Sequence, residues 1–121
     1  MKKRILIIED EKDIAENIAV RLESEGYVPL IAYDGNAGVD MARHNKPHMV
    51  LLDVLLPMIN GFEVCKILKN DRKTRKIPIC MLTSLNAIGD VELAFQAGAN
   101  DYLTKPFDFD RLLLKISKYL P

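Results

Sequence analysis

Four short, mostly apolar runs in this chain end on residues able to do chemistry. Ile5-Leu6-Ile7-Ile8 is followed by Glu9 and Asp10, and Met49-Val50-Leu51-Leu52 by Asp53. The run from Ile77 to Leu82 is followed by Thr83 and Ser84, and Asp101-Tyr102-Leu103 by Thr104 and Lys105. If the runs are neighbouring strands, their ends bring three carboxylates, a hydroxyl and a lysine to one crevice. Glu9, Asp10 and Asp53 carry −3 and Lys105 +1, which leaves −2 for a divalent cation to offset. Hard carboxylate oxygens without histidine or cysteine favour magnesium over zinc. A carboxylate can also attack phosphorus and become an aspartyl phosphate. That chemistry asks for in-line positioning and charge neutralisation, which a cation, Lys105, the Thr83 hydroxyl and backbone N–H groups would supply. Any one polar residue at a strand end is accounted for by solvation or by capping the next helix. The reading rests on their joint occurrence.

The elements that must position these groups follow from the apolar pattern. Buried strands are expected at Ile5–Ile8, Val28–Ala32, Met49–Leu52 and Ile77–Leu82, with a weaker one at Asp101–Leu103. Helical patterns lie between them. Ile14, Ile18, Val20 and Leu22 mark the first, closed by Gly26; Ala37, Val39 and Met41 mark a shorter second. Phe62, Val64, Cys65, Ile67 and Leu68 form the third. Val91, Leu93, Ala94 and Phe95 form the fourth, stopped by Gly98, and Leu112, Leu113, Leu114 and Ile116 the fifth, opened by Asp108 as cap. Strict alternation of strand and helix implies an α/β fold: one doubly wound, five-stranded parallel sheet with helices on both faces. The expected strand order is the flavodoxin-like 2-1-3-4-5, which places ligands at the carboxyl ends of the strands.

A length of 121 residues suits one domain, residues 1–121, and hydrophobic residues at 49% suffice for a core. Lys plus Arg and Asp plus Glu both total 17, so the formal charge is zero. A neutral chain is a poor candidate for binding nucleic acid or an anionic membrane through bulk charge. Cys65 and Cys80 have neither metal-ligand nor disulfide-framework spacing and read as reduced apolar fillers of a cytoplasmic protein. The basic start, Met1-Lys2-Lys3-Arg4, precedes an apolar run too short for a signal peptide, and no run approaches membrane-spanning length. Lys66, Lys69, Arg72, Lys73, Arg75 and Lys76 crowd one short stretch, which reads as a solvated helix end and loop.

The segments Ile5–Glu11, Leu51–Gly61, Met81–Ser84 and Gly98–Phe107 resemble, in order and spacing, the receiver domains of two-component response regulators. The resemblance covers the whole chain. It implies a signalling phosphoacceptor rather than an enzyme, one that assists its own phosphorylation and slow dephosphorylation. By resemblance, Asp53 is the phosphoacceptor, and Glu9, Asp10, Asp53 and the backbone carbonyl of Leu55 hold magnesium. Thr83 is the switch hydroxyl, Tyr102 the switch aromatic, and Lys105 contacts the phosphoryl group. Lys105-Pro106 is similar to the family's cis peptide. Glu9 replaces the second aspartate of many relatives and keeps the charge. The residues two after Asp53 and two after Thr83, Leu55 and Leu85, border the path of a hydrolytic water in such domains. The implied partners are a sensor histidine kinase or histidine phosphotransfer protein as donor, and a downstream effector or an output domain of the same protein. The surface expected to change comprises Val91, Phe95, Thr104, Arg111 and Lys115.

Three other functions compete. A phosphatase of the haloacid dehalogenase kind needs an acid two residues after its nucleophile, where this chain has Leu55. A nucleotide or flavin site needs a glycine-rich loop after the first strand, where this chain has Glu9-Asp10-Glu11-Lys12-Asp13. An interaction module that is never phosphorylated would not need Asp53, Thr83 and Lys105 together.

Overall fold

The computed structural model describes residues 2–84 and 88–121, with the backbone alone at 88 and 89. Strands and helices alternate throughout: β1 (Arg4–Ile8), α1 (Lys12–Ser24), β2 (Val28–Ala32), α2 (Gly35–Asn45), β3 (Met49–Asp53), α3 (Gly61–Lys69), β4 (Ile79–Thr83), α4 (Ile88–Gln96), β5 (Asp101–Thr104) and α5 (Phe109–Tyr119). The five strands form one parallel sheet in the order β2-β1-β3-β4-β5, as the alternation predicts.

Successive strand side chains point to opposite faces, so each strand feeds two cores. Leu6, Ile8, Val50, Leu52, Ile79 and Met81 face Val39 and Ala42 of α2, Val64 and Leu68 of α3, and Ala94 of α4. Ile5, Ile7, Met49, Leu51, Cys80 and Leu82 face Ala15, Ile18 and Leu22 of α1 and Leu112 and Ile116 of α5. Burial on both faces is why β1, β3 and β4 read as continuous apolar runs; β2 and β5 are edge strands and only partly buried, against the expectation of a buried strand at Val28–Ala32.

Local chemistry sets the helix ends. Asp34, Asn60 and Asp108 each accept a hydrogen bond from the backbone N–H three residues on, at Ala37, Glu63 and Arg111. Gly26 and Gly98 follow α1 and α4 with φ of 91° and 98°, the left-handed conformation that closes a helix at no steric cost.

The structure departs from the apolar pattern in two ways. β4 begins at Ile79, not Ile77: the Ile77 N–H is spent on the Thr74 carbonyl in a turn, and Pro78 has no N–H to give. Five residues assigned to apolar helix faces are exposed: Val20 (66%), Ile67 (38%), Leu93 (48%), Phe95 (48%) and Leu114 (72%). A helix turns about 100° per residue, so adjacent apolar residues such as Leu112, Leu113 and Leu114 cannot all face the sheet.

Candidate functional site

Strand register builds the site. Ile8 of β1 pairs with Leu52 of β3, so Glu9 and Asp53 leave adjacent strands side by side. β2 lies on the other side of β1, so the chain order reverses between β1 and β3 and opens a crevice at their carboxyl ends. Asp53 pairs with Leu82, which puts Thr83 one step beyond it on β4. Thr83 in turn pairs with Thr104, and its carbonyl accepts from the Lys105 N–H at 2.7 Å, which fixes where Lys105 leaves β5. The Lys105-Pro106 peptide is cis.

Lys105 crosses the crevice toward the carboxylates. Its Nζ donates to Glu9 Oε1 at 2.8 Å and lies 3.5 Å from Asp53 Oδ2. Glu9 Oε2 accepts from the Glu11 N–H at 3.2 Å, and Asp53 Oδ1 from the Leu55 N–H at 3.4 Å. Glu9 and Asp53 are buried, with 1% and 6% exposure, while Asp10 is open to solvent. Oxygens of Glu9, Asp10 and Asp53 all lie within 4.8 Å of one another. Asp10, Glu11, Ile14, Asp53, Leu55, Ser84 and Lys105 line a cleft of about 280 Å³. Next to it, Ile14, Asn17, Ile18, Ser84, Lys105, Pro106 and Phe107 line a second cleft of about 460 Å³.

The β3–α3 return must pass tightly under the cluster. Gly61 N–H bonds the Val54 carbonyl at 2.8 Å, and a Cβ at Gly61 would collide with the carbonyl oxygen of Asp53. Gly61 is therefore part of the site through its missing side chain. A single sequence shows it only as a turn residue. Ser84, named in the sequence beside Thr83, lines the cleft, and the Glu11 N–H belongs to the site without standing out in the sequence.

The electrostatics separate the two buried carboxylates. Burial pushes the Asp53 carboxyl up to about 6; Lys105 pulls against this and the neighbouring Glu9 charge adds to it. Burial also opposes ionisation of Glu9, but bonds from Lys105 and the Glu11 N–H outweigh it and hold Glu9 below the usual carboxylate range. Burial would lower the Lys105 ammonium, and its two carboxylate partners raise it instead. Three carboxyl groups thus face one ammonium. A hard divalent cation with oxygen ligands suits that donor set.

Residues 5–117 match the family model for the response regulator receiver domain. The chain belongs to the response regulator receiver family. It is 42% identical over 117 residues to the DNA-binding dual master transcriptional regulator RpaA of Synechocystis, covering 97% of this chain and 48% of that protein. The receiver thus spans about half the length of that curated relative. A response regulator from Chloroflexus aurantiacus superposes with a TM-score of 0.94 at 34% identity, over 99% of this chain and 98% of the other. Chemotaxis protein CheY4 of Vibrio cholerae superposes with a TM-score of 0.93 at 25% identity, over 98% and 99%.

The remaining expected positions of this receiver lie on one face. Val91, Tyr102, Leu103, Thr104, Arg111 and Lys115 line a recess of about 210 Å³ between α4, β5 and α5. Phe95 stands beside it rather than in it: half exposed, it packs edge-on to the Tyr102 ring, with centroids 5.9 Å apart and planes at 87°. Lys115 Nζ is held by Asp101 Oδ1 at 2.8 Å, and Asp101 also accepts from the Tyr119 hydroxyl. This clamp of α5 onto β5 has no signal in the sequence. Thr83 is buried at the end of β4. Leu85 lies outside the described residues.

Proposed function

We propose that residues 1–121 form one receiver domain that accepts a phosphoryl group on Asp53, with Glu9, Asp10, Asp53 and the Leu55 carbonyl as magnesium ligands. The observation that carries the reading is Lys105 Nζ poised between Glu9 and Asp53 within a cluster of three carboxylates. Membership of the response regulator receiver family supports this reading.

In the reaction, an Asp53 carboxylate oxygen bonds phosphorus as the donor's N–P bond breaks, and the departing imidazole takes up a proton. Magnesium, when bound, supplies positive charge to offset the cluster and the phosphoryl oxygens. This chain's own part is positional. The β3–α3 turn fixes Asp53, Lys105 contacts a phosphoryl oxygen, and the Thr83 hydroxyl and a backbone N–H hold others. Asp10, solvent-exposed, would be free to ligate the metal directly, and Glu9, whose oxygens already accept from Lys105 and Glu11, would act mostly through water.

As Thr83 bonds the phosphoryl group, it leaves space for the Tyr102 ring, and the α4-β5-α5 face with Val91, Phe95, Thr104, Arg111 and Lys115 presents a different surface. Its donors are a sensor histidine kinase or a histidine phosphotransfer protein in the cytoplasm. Its reader is a downstream effector or an output domain of the same protein. In this reading the domain itself engages neither nucleic acid nor a membrane; its formal charge is zero, and among the described residues no helix is long and apolar enough to cross a membrane. The test is whether Asp53, and no other residue, takes up a phosphoryl group from a small donor with magnesium.

A further inference from the structure

The amino edge of the sheet, opposite the phosphoacceptor, carries a cationic turn that the site does not use. Residues 66–76 hold six basic residues and one acidic residue, Asp71, in a chain whose formal charge is zero. The turn is pinned from within. Thr74 Oγ1 donates to the buried Leu68 carbonyl at 2.7 Å, and Lys69 Nζ donates to the carbonyls of Arg75 and Ile77 at 3.2 and 2.7 Å. Asp71 accepts from the Lys73 N–H at 2.9 Å, and its carbonyl accepts from the N–H groups of Thr74 and Arg75. The one local acid is already neutralised, by Arg43 of α2 at 2.6 Å. Lys66, Arg72, Lys73, Arg75 and Lys76 are exposed, and none has an ion pair among the described residues. A fixed backbone thus displays five cations without an ion pair among the described residues, around a single exposed apolar residue, Ile67.

We propose that this α3–β4 turn is a docking surface for an acidic protein segment. Like charges held together on a rigid frame repel one another, and an acidic partner relieves that repulsion at little ordering cost on this side. Two features favour a protein over nucleic acid. No aromatic side chain lies between residues 66 and 78 to stack on a base. Ile67 offers an apolar contact of the kind a peptide side chain fills. The turn lies a strand's length, about 15 Å, from Asp53, so docking there leaves the phosphoacceptor open.

The test uses the whole chain and a short synthetic peptide of glutamates with one central leucine, followed by fluorescence anisotropy at low and physiological salt. Binding should weaken about tenfold or more in Lys73→Gln/Arg75→Gln/Lys76→Gln, and severalfold in Ile67→Ser. A control with three exposed cations removed elsewhere, Lys12→Gln/Arg21→Gln/Lys118→Gln, should retain affinity within about twofold. These are exposed side chains, and unchanged melting temperatures would confirm that all variants fold. No binding, equal loss in the control, equal binding of the glutamine version of the peptide, or tighter binding of duplex DNA would each overturn the proposal.

Discussion

The Lys105 ammonium is closer to Glu9 than to Asp53, at 2.8 against 3.5 Å. The lysine therefore neutralises Glu9 more than Asp53, the proposed acceptor. A cation entering the cluster would meet the opposing charge of that lysine beside Glu9.

Magnesium should stabilise the fold by mass action, by about 1.4 kcal/mol at ten times its dissociation constant. For a domain of this size that is a rise in Tm of about 3–6 °C. Asp10→Asn should abolish the rise while hardly changing the metal-free Tm, because Asp10 is exposed and has no ion pair among the described residues. Lys105→Met should tighten magnesium binding about tenfold or more, since it removes the competing charge. Thermal melts and calorimetric titration read both; a wild-type Tm indifferent to millimolar magnesium would contradict the site.

The raised Asp53 carboxyl predicts an unusual pH dependence. Its folded value of about 6 lies above the ordinary value of 3.8, so between these limits the folded chain binds more protons than the unfolded one. Stability from this group is full below the ordinary value and is lost as pH rises through about 6. Asp53→Asn should remove that slope and make the metal-free protein about 1–3 kcal/mol more stable at neutral pH. Urea melts from pH 4 to pH 8 give the comparison, and a destabilised Asn variant would mean that Asp53 is better compensated than its surroundings indicate. Glu9, held below the usual range, contributes in the opposite sense at lower pH.

The aspartyl phosphate should persist for many minutes to hours. Hydrolysis needs a water held in line behind phosphorus, and Leu55, which lines the cleft beside Asp53, can neither bond nor deprotonate one. Leu55→Asn should shorten the lifetime severalfold, as followed by loss of the phosphorylated species after donor removal. Decay of the wild type within seconds would contradict this.

Activation with beryllofluoride should shift amide resonances in two places: around Asp53, and across α4, β5 and α5 at Val91, Phe95, Tyr102, Thr104, Arg111 and Lys115. Phe95 should respond through its edge contact with Tyr102. Thr83→Ala should keep the first set and lose most of the second. Silence of the second set in the wild type would mean that no switch runs through Tyr102.

Much of this was legible in the sequence, for physical reasons that also mark where legibility ended. Doubly buried strands announce themselves as apolar runs, and in a parallel sheet the residue after each run falls at the ligand edge. Glu9, Asp10, Asp53, Thr83 and Lys105 could be named on that basis alone. The rest depends on side-chain direction and backbone approach. Val20 and Leu114 sit within apolar patterns, yet the helix turn carries both to solvent. Phe95 and Val91 share a helix face four residues apart, yet only Val91 reaches the recess by β5. The Asp101 clamp and the Gly61 approach join groups that nothing in local sequence couples.

The most direct test is intact mass after incubation with acetyl phosphate and magnesium. The wild type should gain the mass of one phosphoryl group, and should lose it again under mild base, as an acyl phosphate does. Asp53→Asn should gain none, and Lys105→Met should be phosphorylated far more slowly. Equal labelling of the Asp53→Asn variant, or a wild type that takes up no phosphoryl group with magnesium present, would contradict Asp53 as the acceptor.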